Sequence, residues 1–240
     1  MARRLVLLVG AYVALALVVV GWGWLLTHTL ESTIDGPDDD VSRWFAGERT
    51  SWLNPVSDVG TLLGETPVAL GFGVAVALVA GLALRSLAAA ALVLLADVGD
   101  GGIYWLGTHA DPRDRPPVHL MDSGLVPDHS FPSGHVGSAV AVYGGAALLL
   151  ALWLRGRGRD RPGSGVARFV VVLLVCVPVY VALSRLYQGA HHLTDVVTAL
   201  VYGTVWLLVC SAALGFRAGS TATDVPRSSS GLRDTPVPHR

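Results

Sequence analysis

The stretch LVLLVGAYVALALVVVGWGWLL, residues 5–26, decides the class of this protein, because no charge interrupts it. A helix needs roughly 20 consecutive apolar residues to cross a membrane. The stretch follows Arg3 and Arg4, as a secretory signal would, but the apolar core of a signal peptide is only about 7–15 residues long. No small-residue cleavage pattern follows it, so we interpret it as a retained transmembrane anchor.

Five further apolar segments follow the first. The hydrophobic fraction is 52%, the charged fraction 15% and the mean hydropathy +0.55, which together place the chain in the membrane class. We therefore predict an all-α fold, a bundle of six transmembrane helices at residues 5–26, 67–84, 86–106, 135–154, 166–183 and 193–214. The membrane domain covers residues 1–216. Residues 217–240 are rich in Ser, Thr, Pro, Gly and Arg and are predicted to form a disordered cytoplasmic tail.

The third segment is the least regular of the six. Asp97 and Asp100 interrupt it, and glycines stand beside them at Gly99, Gly101 and Gly102. Acidic side chains inside a membrane are costly and often functional. We interpret these two as caps of a helix broken at the glycines.

Arginine predicts the orientation, because short cytoplasmic loops carry an excess of basic residues. If the chain has six spans, one side of the membrane carries most of the arginines. They lie before span one, between spans two and three, between spans four and five, and after span six. These are Arg3, Arg4, Arg85, Arg155, Arg157, Arg159, Arg161, Arg168, Arg217, Arg227, Arg233 and Arg240. We therefore expect a multi-pass protein of the cell membrane with both termini cytoplasmic.

The connection between spans one and two is acidic and is predicted on the extracytoplasmic side. It also carries Trp44, Phe45, Trp52 and Leu53. Two interpretations stay open: these side chains lie along the membrane interface, or the connection is a loop packed on the bundle.

Three polar clusters lie next to the predicted spans, all on the extracytoplasmic side. Arg113-Asp114-Arg115-Pro116 follows span three, and Pro132-Ser133-Gly134-His135 opens span four. The third cluster joins spans five and six and holds Ser184-Arg185, His191 and Asp195. Residues far apart in the sequence are thus expected to meet at the extracytoplasmic ends of the helices, where we place the active site.

The residue types in these clusters suit phosphoryl chemistry. His191 and Asp195 share one helix face, so the carboxylate can fix the imidazole tautomer and leave the other nitrogen as a nucleophile. Arginines such as Arg115 and Arg185 offer planar, permanently charged donors to phosphate oxygens. The free N–H groups at the start of a helix attract anions, although Ser133 could equally serve as a helix cap.

This pattern resembles that of the type 2 phosphatidic acid phosphatase superfamily, which shares its active site with vanadium haloperoxidases. The family motifs are Lys-x6-Arg-Pro, Pro-Ser-Gly-His and Ser-Arg-x5-His-x3-Asp. The second and third are intact in this chain. In the first, Arg115 and Pro116 match, but Thr108 stands at the lysine position.

The resemblance implies an integral membrane phosphatase that hydrolyses the phosphomonoester or diphosphate of a lipid through a phosphohistidine. His191 would be the nucleophile, Asp195 would orient it, and His135 would protonate the leaving oxygen. The phosphate oxygens would be held by Arg115, Arg185, Ser133 and Gly134. No metal or other cofactor is expected, and the partner is a lipid phosphate in the bilayer rather than a nucleic acid.

The residue at the lysine position leaves alternatives open. Arg113 or His109 is a candidate to replace the missing cation, and we include Arg113 among the phosphate-binding residues. A catalytically silent lipid-phosphate binder and a lipid phosphotransferase are the competing hypotheses. A transporter is disfavoured, because its binding site would lie near the middle of the bilayer.

Three further histidines are weaker candidates. His119 and His129 lie in the loop over the predicted site and are candidates for substrate contact. His192 is adjacent to His191, and neighbouring side chains on a helix point about 100° apart. A metal site built from both histidines and Asp195 is therefore disfavoured.

Overall fold

The computed structural model describes residues 2–157 and 163–216, and all regular secondary structure in that part of the chain is helical. The helices are α1 Ala2–Thr29, α2 Glu31–Gly47, α3 Leu53–Gly64, α4 Thr66–Leu84, α5 Leu87–Ala110, α6 Gly134–Arg155, α7 Ser164–Tyr187 and α8 Leu193–Ala213. Six of these described helices, all but α2 and α3, are long and apolar enough to cross a membrane. The predicted all-α bundle of six spans is confirmed.

Helix α6 forms the centre of the bundle. The most apolar stretch of α6 is 67% buried, whereas the corresponding stretch is 11% buried in α1 and 17% buried in α4 and in α7. Small residues let the neighbouring helices approach it closely. A Cβ added at Gly73 of α4 would lie 3.2 Å from Val142, and one at Gly203 of α8 would lie 3.3 Å from Val140. The outer helices expose their apolar side chains to the surroundings, as expected in lipid.

Helix α5 is not broken, so the interpretation of its two acids as caps is wrong. It runs without interruption from Leu87 to Ala110. Its acids are accommodated by α6 instead, since Ser138 donates a hydrogen bond to Asp97 at 2.5 Å and Asp100 packs against Gly137.

The connection between the first two spans consists mainly of helices α2 and α3, so it is not the loop of the second open interpretation, although it packs on the bundle as that interpretation expected. Both helices pack on the bundle. Gly60 of α3 lies against Ser184 and Tyr180 of α7, and a Cβ at Gly64 would come within 3.0 Å of His135. This packing places α3 beside the third polar cluster.

The helices alternate in direction, which sets where the polar clusters meet. Helices α1, α5 and α7 end, and α4, α6 and α8 begin, at the same end of the bundle. The turn at Arg85 and the arginines Arg155 and Arg168 belong to the opposite end. Arg159 and Arg161 lie outside the described residues, as do the arginines from residue 217 onward and the predicted tail at 217–240.

Candidate active site

A cavity of about 240 Å³ lies at the shared end of the helices and is lined by all three polar clusters. Arg115 comes from the first cluster, Gly134 and His135 from the second, and His191 from the third. Residues of the three clusters that lie up to 76 positions apart in the sequence (115 to 191) therefore surround one space.

The turn between α7 and α8 carries His191. Gly189 has a φ of +70°, and a Cβ there would lie 2.7 Å from Val118, so both the backbone and the space favour glycine. The N–H of Ala190 donates to the carbonyl of Arg185 at 3.0 Å. This turn fixes His191 directly before α8.

The imidazole of His191 is held by a backbone carbonyl. Its Nδ1 lies 2.7 Å from the carbonyl oxygen of Ser130, which only accepts, so Nδ1 carries the proton. Nε2 is then left with a free lone pair. Burial lowers the pKa of His191 to about 4; Asp195 opposes this effect, and the charge of Arg185 adds to it. His191 is thus a neutral imidazole near pH 7, as a nucleophile requires.

Asp195 is fully buried but does not bond directly to His191. Its Oδ2 is 3.8 Å from His191 Nδ1, too long for a hydrogen bond. The same oxygen accepts from Ser130 Oγ at 2.6 Å and from the N–H of His192 at 2.8 Å. The sequence predicted that Asp195 contacts the histidine, whereas the structure places Ser130 between them.

Arg113 binds carboxylates and does not line the cavity. It is 6% exposed, and it donates to Asp195 at 2.6 Å, to Thr194 at 2.7 Å and to Asp38 at 3.1 Å. Burial acts to lower the pKa of Arg113, but the carboxylates of Asp195 and Asp38 raise it above its ordinary value. The structure therefore does not bring Arg113 to the other predicted phosphate ligands.

Asp38 is a site-supporting residue that sequence reasoning missed. It lies on α2, is 3% exposed, and accepts hydrogen bonds from the N–H and the hydroxyl of Thr194 at 3.2 Å and 2.5 Å. Together with Arg113 it ties α2 to the start of α8. No local pattern marks it among the acids of the first connection.

Arg185 is completely buried, and part of its guanidinium has no partner. Nη1 donates to Asp122 at 3.2 Å and to Thr61 and Gln188 at 3.3 Å each. Nε and Nη2 make no hydrogen bond to any residue that the structure describes. Buried donors without partners are costly and rare in folded proteins, so these two N–H groups are suited to an anionic ligand.

Ser133 has the same property. It occupies the N-cap position of α6 but makes no side-chain cap bond, and its buried Oγ has no partner among the described residues. The interpretation of Ser133 as a side-chain cap is therefore not supported. Next to it, Gly134 packs on Tyr104, and a Cβ there would lie 3.0 Å from that ring.

Arg115 lines the cavity while holding the loop that covers it. Its Nε and Nη2 donate to the carbonyls of Val126 and His129 at 2.9 Å and 3.0 Å, and its Nη1 donates to Ala190. Burial lowers the pKa of Arg115. Its charge faces the cavity, and its hydrogen bonds fix the loop and the turn before His191.

Thr108, which stands at the position of the missing lysine, does not line the cavity. Thr108 is 1% exposed, and its hydroxyl bonds the carbonyl of Tyr104 one turn earlier at 3.1 Å. His109 stacks on Trp105 with ring centroids 4.6 Å apart. Of the loop histidines, His129 lines the cavity.

The remaining histidines take other positions. The carbonyl of His119 accepts a hydrogen bond from Arg49 at 2.8 Å. His192 lies between two carboxylates, with Nε2 3.6 Å from Asp39 and Nδ1 3.4 Å from Asp195, and unlike His191 it does not line the cavity. Among the described residues, no group of three or more His, Cys, Asp or Glu side chains is arranged to hold a metal ion.

Comparison with known proteins agrees with this geometry. The profile of the PAP2 superfamily matches residues 79–218, more than half of the chain, so the chain belongs to this superfamily. A crystal structure of a transmembrane PAP2 type phosphatidylglycerolphosphate phosphatase from Bacillus subtilis shares the fold. Its TM-score is 0.62 at 22% identity, and the match covers 88% of this chain and 96% of that one. A search of curated protein sequences gives no match. The family resemblance predicted from the motifs is confirmed.

Proposed function

We propose that this protein is an integral membrane phosphatase that hydrolyses a lipid phosphate through a phosphohistidine at His191. The observation that carries the proposal is the set of buried donors without partners, Nε and Nη2 of Arg185 and Oγ of Ser133, in a site that also holds a neutral histidine. Such donors are suited to phosphate oxygens, which only accept when ionised. The fold shared with a PAP2 type phosphatase supports the same reaction class.

In the first step, Nε2 of His191 attacks phosphorus and forms an N–P bond while the bond to the ester oxygen breaks. Protonated His135 gives its proton to that oxygen, so the lipid alcohol leaves in neutral form. The negative charge on the phosphoryl oxygens is balanced by Arg185 and Arg115, and Ser133 donates a hydrogen bond to one of these oxygens. Positioning and charge balance of this kind supply most of the catalysis in phosphoryl transfer.

In the second step, water attacks the phosphohistidine. His135, now neutral, accepts a proton from this water, the N–P bond breaks, and inorganic phosphate leaves. His191 returns to its starting form with Nδ1 still bound to the carbonyl of Ser130. Apart from the lipid phosphate and the water, the two steps use only His191 and His135, and each histidine ends in the form in which it began.

The substrate is proposed to carry an apolar tail within the bilayer. The B. subtilis neighbour is named for phosphatidylglycerolphosphate, and phosphatidate-like monoesters and polyprenyl diphosphates are further candidates here. An apolar cleft of about 610 Å³ between the end of α1 and the start of α8, at the end of the bundle that holds the site, offers space for a tail. The arginine distribution favours an extracytoplasmic site and cytoplasmic termini.

One observation favours a second candidate, a lipid-phosphate binder without turnover. Thr108 is buried at the position where the family has lysine, and Arg113 is occupied by carboxylates. The phosphate site therefore has one fewer free cation than the family pattern. A binder would retain headgroup affinity but release no phosphate.

The test is phosphate release by the purified full-length chain from phosphatidate, lysophosphatidate, phosphatidylglycerol phosphate and a polyprenyl diphosphate. We expect turnover of at least one, and its loss in His191→Ala. His28→Ala is the matched control, because His28 is exposed and lies outside the cavity. Equal release by the wild type and His191→Ala would overturn the proposal.

A further inference from the structure

Helix α3 is too short to span a membrane, yet it packs along a helix that does. Its inner face consists of small residues that are buried against α7. Gly60 lies against Ser184, and a Cβ at Gly64 would lie 2.9 Å from Val181. Because glycine has no side chain, the two helix backbones approach each other closely along this face.

The contact with Val181 shows how deep α3 lies. Val181 is six residues before the end of α7 at Tyr187, which corresponds to about 9 Å along the helix axis. Helix α7 has 24 residues and is therefore about 36 Å long, whereas the hydrocarbon core of a bilayer is about 30 Å thick. If α7 is centred in the bilayer, only about 3 Å of it protrudes at each end. The end of α3 that packs on Val181 therefore lies at the depth of the acyl chains.

The outer face of α3 is apolar. Val56, Val59 and Leu62 follow one another at helical spacing and are 44%, 52% and 47% exposed. The acid of this helix lies away from that face, since Asp58 accepts a hydrogen bond from Gln188 Nε2 at 3.0 Å. A row of large apolar side chains exposed on one helix is unfavourable in water and is expected in lipid.

We propose that α3 is embedded in the leaflet on the side of the site, with its outer face against lipid acyl chains. The outer face continues the apolar surface of two spans, because α3 packs on α7 and is joined to α4 through Glu65 alone. Those spans expose Leu183 and Leu70. Trp52, directly before α3, is also exposed, as tryptophans at the membrane–water interface are. This location goes beyond the proposed function and does not depend on turnover.

The composition of the outer face favours lipid over another protein helix. Helices that associate in membranes do so through small residues. The small residues of α3 lie on its inner face, which α7 already occupies. The residues outside the described ranges follow or precede Ala2, Arg157, Gly163 and Phe216. All four positions belong to the opposite end of the bundle, so no segment attached beside α3 is available to cover it.

The inner face of α3 positions the arginine of the proposed phosphate site. Thr61 Oγ1 accepts a hydrogen bond from Arg185 Nη1 at 3.3 Å. Gln188 accepts from the same nitrogen at 3.3 Å and donates to Asp58. A helix held in the leaflet by its outer face therefore keeps Arg185 in place through its inner face. This consequence, unlike the location of α3, rests on the proposed function.

Spin labels on the full-length chain in phosphatidylcholine vesicles measure the depth of α3. Cys176 and Cys210 are first replaced by alanine, and a single cysteine is then introduced as Val59→Cys. We expect the ratio of oxygen accessibility to nickel-chelate accessibility at this label to match that of Leu183→Cys, a lipid-facing position of α7. Asp40→Cys, at an exposed acid of α2, is the aqueous reference and should give a ratio several-fold lower.

Two results would overturn the embedding. One is a Val59→Cys label that is as accessible to the nickel chelate as the Asp40→Cys label. The other is dipolar broadening between Val59→Cys labels at high lipid dilution, which would place a second copy of the chain on this face. Leu62→Cys repeats both measurements one turn further along α3, so a defect confined to position 59 does not decide the result.

Phosphate affinity measures the effect on Arg185. Val56→Gln combined with Val59→Gln makes the outer face polar without adding a charge near the arginine. We expect the Kd for inorganic phosphate to rise roughly tenfold, because a polar side chain finds no partner among acyl chains. Val56→Leu combined with Val59→Leu is the matched control and should keep the wild-type Kd.

The two measurements fail separately. A wild-type Kd in the glutamine variant would overturn the positioning of Arg185 by α3. If the wild type binds no phosphate, the proposed function fails together with this positioning role, whereas the accessibilities of the labels still decide whether α3 is embedded.

Discussion

The backbone carbonyl of Ser130 accepts the Nδ1–H of His191 at 2.7 Å, and this single bond decides which nitrogen of the proposed nucleophile is free. The hydroxyl of the same serine donates to Asp195 at 2.6 Å. Ser130 thus transmits the position of the buried carboxylate to the histidine. The expected histidine–aspartate pair becomes an arrangement of three residues.

Ser130→Ala tests this arrangement. The substitution removes the bond to Asp195 but keeps the carbonyl that holds His191. Loss of one charged hydrogen bond of about 1.5–3 kcal/mol predicts a decrease in kcat/KM of roughly tenfold to a hundredfold. His191→Ala should abolish turnover. Steady-state phosphate release compares the two, with Ser32→Ala on the exposed side of α2 as control. A Ser130→Ala enzyme with wild-type kcat/KM would contradict this role.

Arg113 and Arg185 are predicted to differ in what their loss affects. Arg113→Gln leaves Asp38 and Asp195 buried without their cation, which typically costs about 3–5 kcal/mol of folding free energy. Arg185→Gln removes the partner-free donors and should mainly weaken binding of inorganic phosphate. Thermal unfolding and phosphate titration of both variants measure the two effects. A greater loss of phosphate affinity in Arg113→Gln, at unchanged stability, would show that Arg113 binds phosphate after all.

Arg185→Lys tests geometry at constant charge. Lysine is a point charge without the planar fork of arginine, so it cannot supply donors at the positions of both Nε and Nη2. With one or two charged hydrogen bonds lost, we expect kcat/KM to fall by about a hundredfold. Arg43→Lys, a change at an exposed ion pair, should have no such effect. A fully active Arg185→Lys enzyme would show that charge alone suffices.

The pH dependence of the first step follows from the buried His191. Only the neutral imidazole has a free lone pair at Nε2. Transfer of the phosphoryl group to His191 should therefore be lost as the pH falls through the pKa of His191 in the folded protein. Because burial lowers the pKa of His191 to about 4, the single-turnover rate should lack the acid limb near the ordinary value of about 6.5. A second substrate whose phosphate ionises at a different pH separates the substrate's titration from the enzyme's. An acid limb near pH 6.5 with both substrates would contradict a buried, neutral nucleophile.

The sequence predicts the spans and the three motif clusters because each depends on residues close together in the chain. The length of an apolar stretch identifies a span. Because successive spans alternate in direction, the three clusters then lie at the same end of the bundle. Asp38 and Ser130 could not be predicted in this way. Their roles come from contacts with residues 156 and 61 positions away, and no local pattern marks them.

The errors have the same physical origin. Asp97 and Asp100 indicated a broken helix because an acid in an apolar run has no local partner, whereas the structure supplies Ser138 and Gly137 from α6. Arg113 was expected at the phosphate because it lies two residues from Arg115. The direction in which the Arg113 side chain points depends on Asp38 and Asp195, which belong to helices distant in the sequence.

Rapid-quench labelling tests the central claim most directly. The purified chain is mixed with a ³²P-labelled lipid phosphate, quenched at short times, and digested to locate the label. We predict an acid-labile, base-stable phosphoramidate on His191 that forms before phosphate release and is absent in His191→Ala. Phosphate release without any labelled histidine, or undiminished release by His191→Ala, would contradict the account.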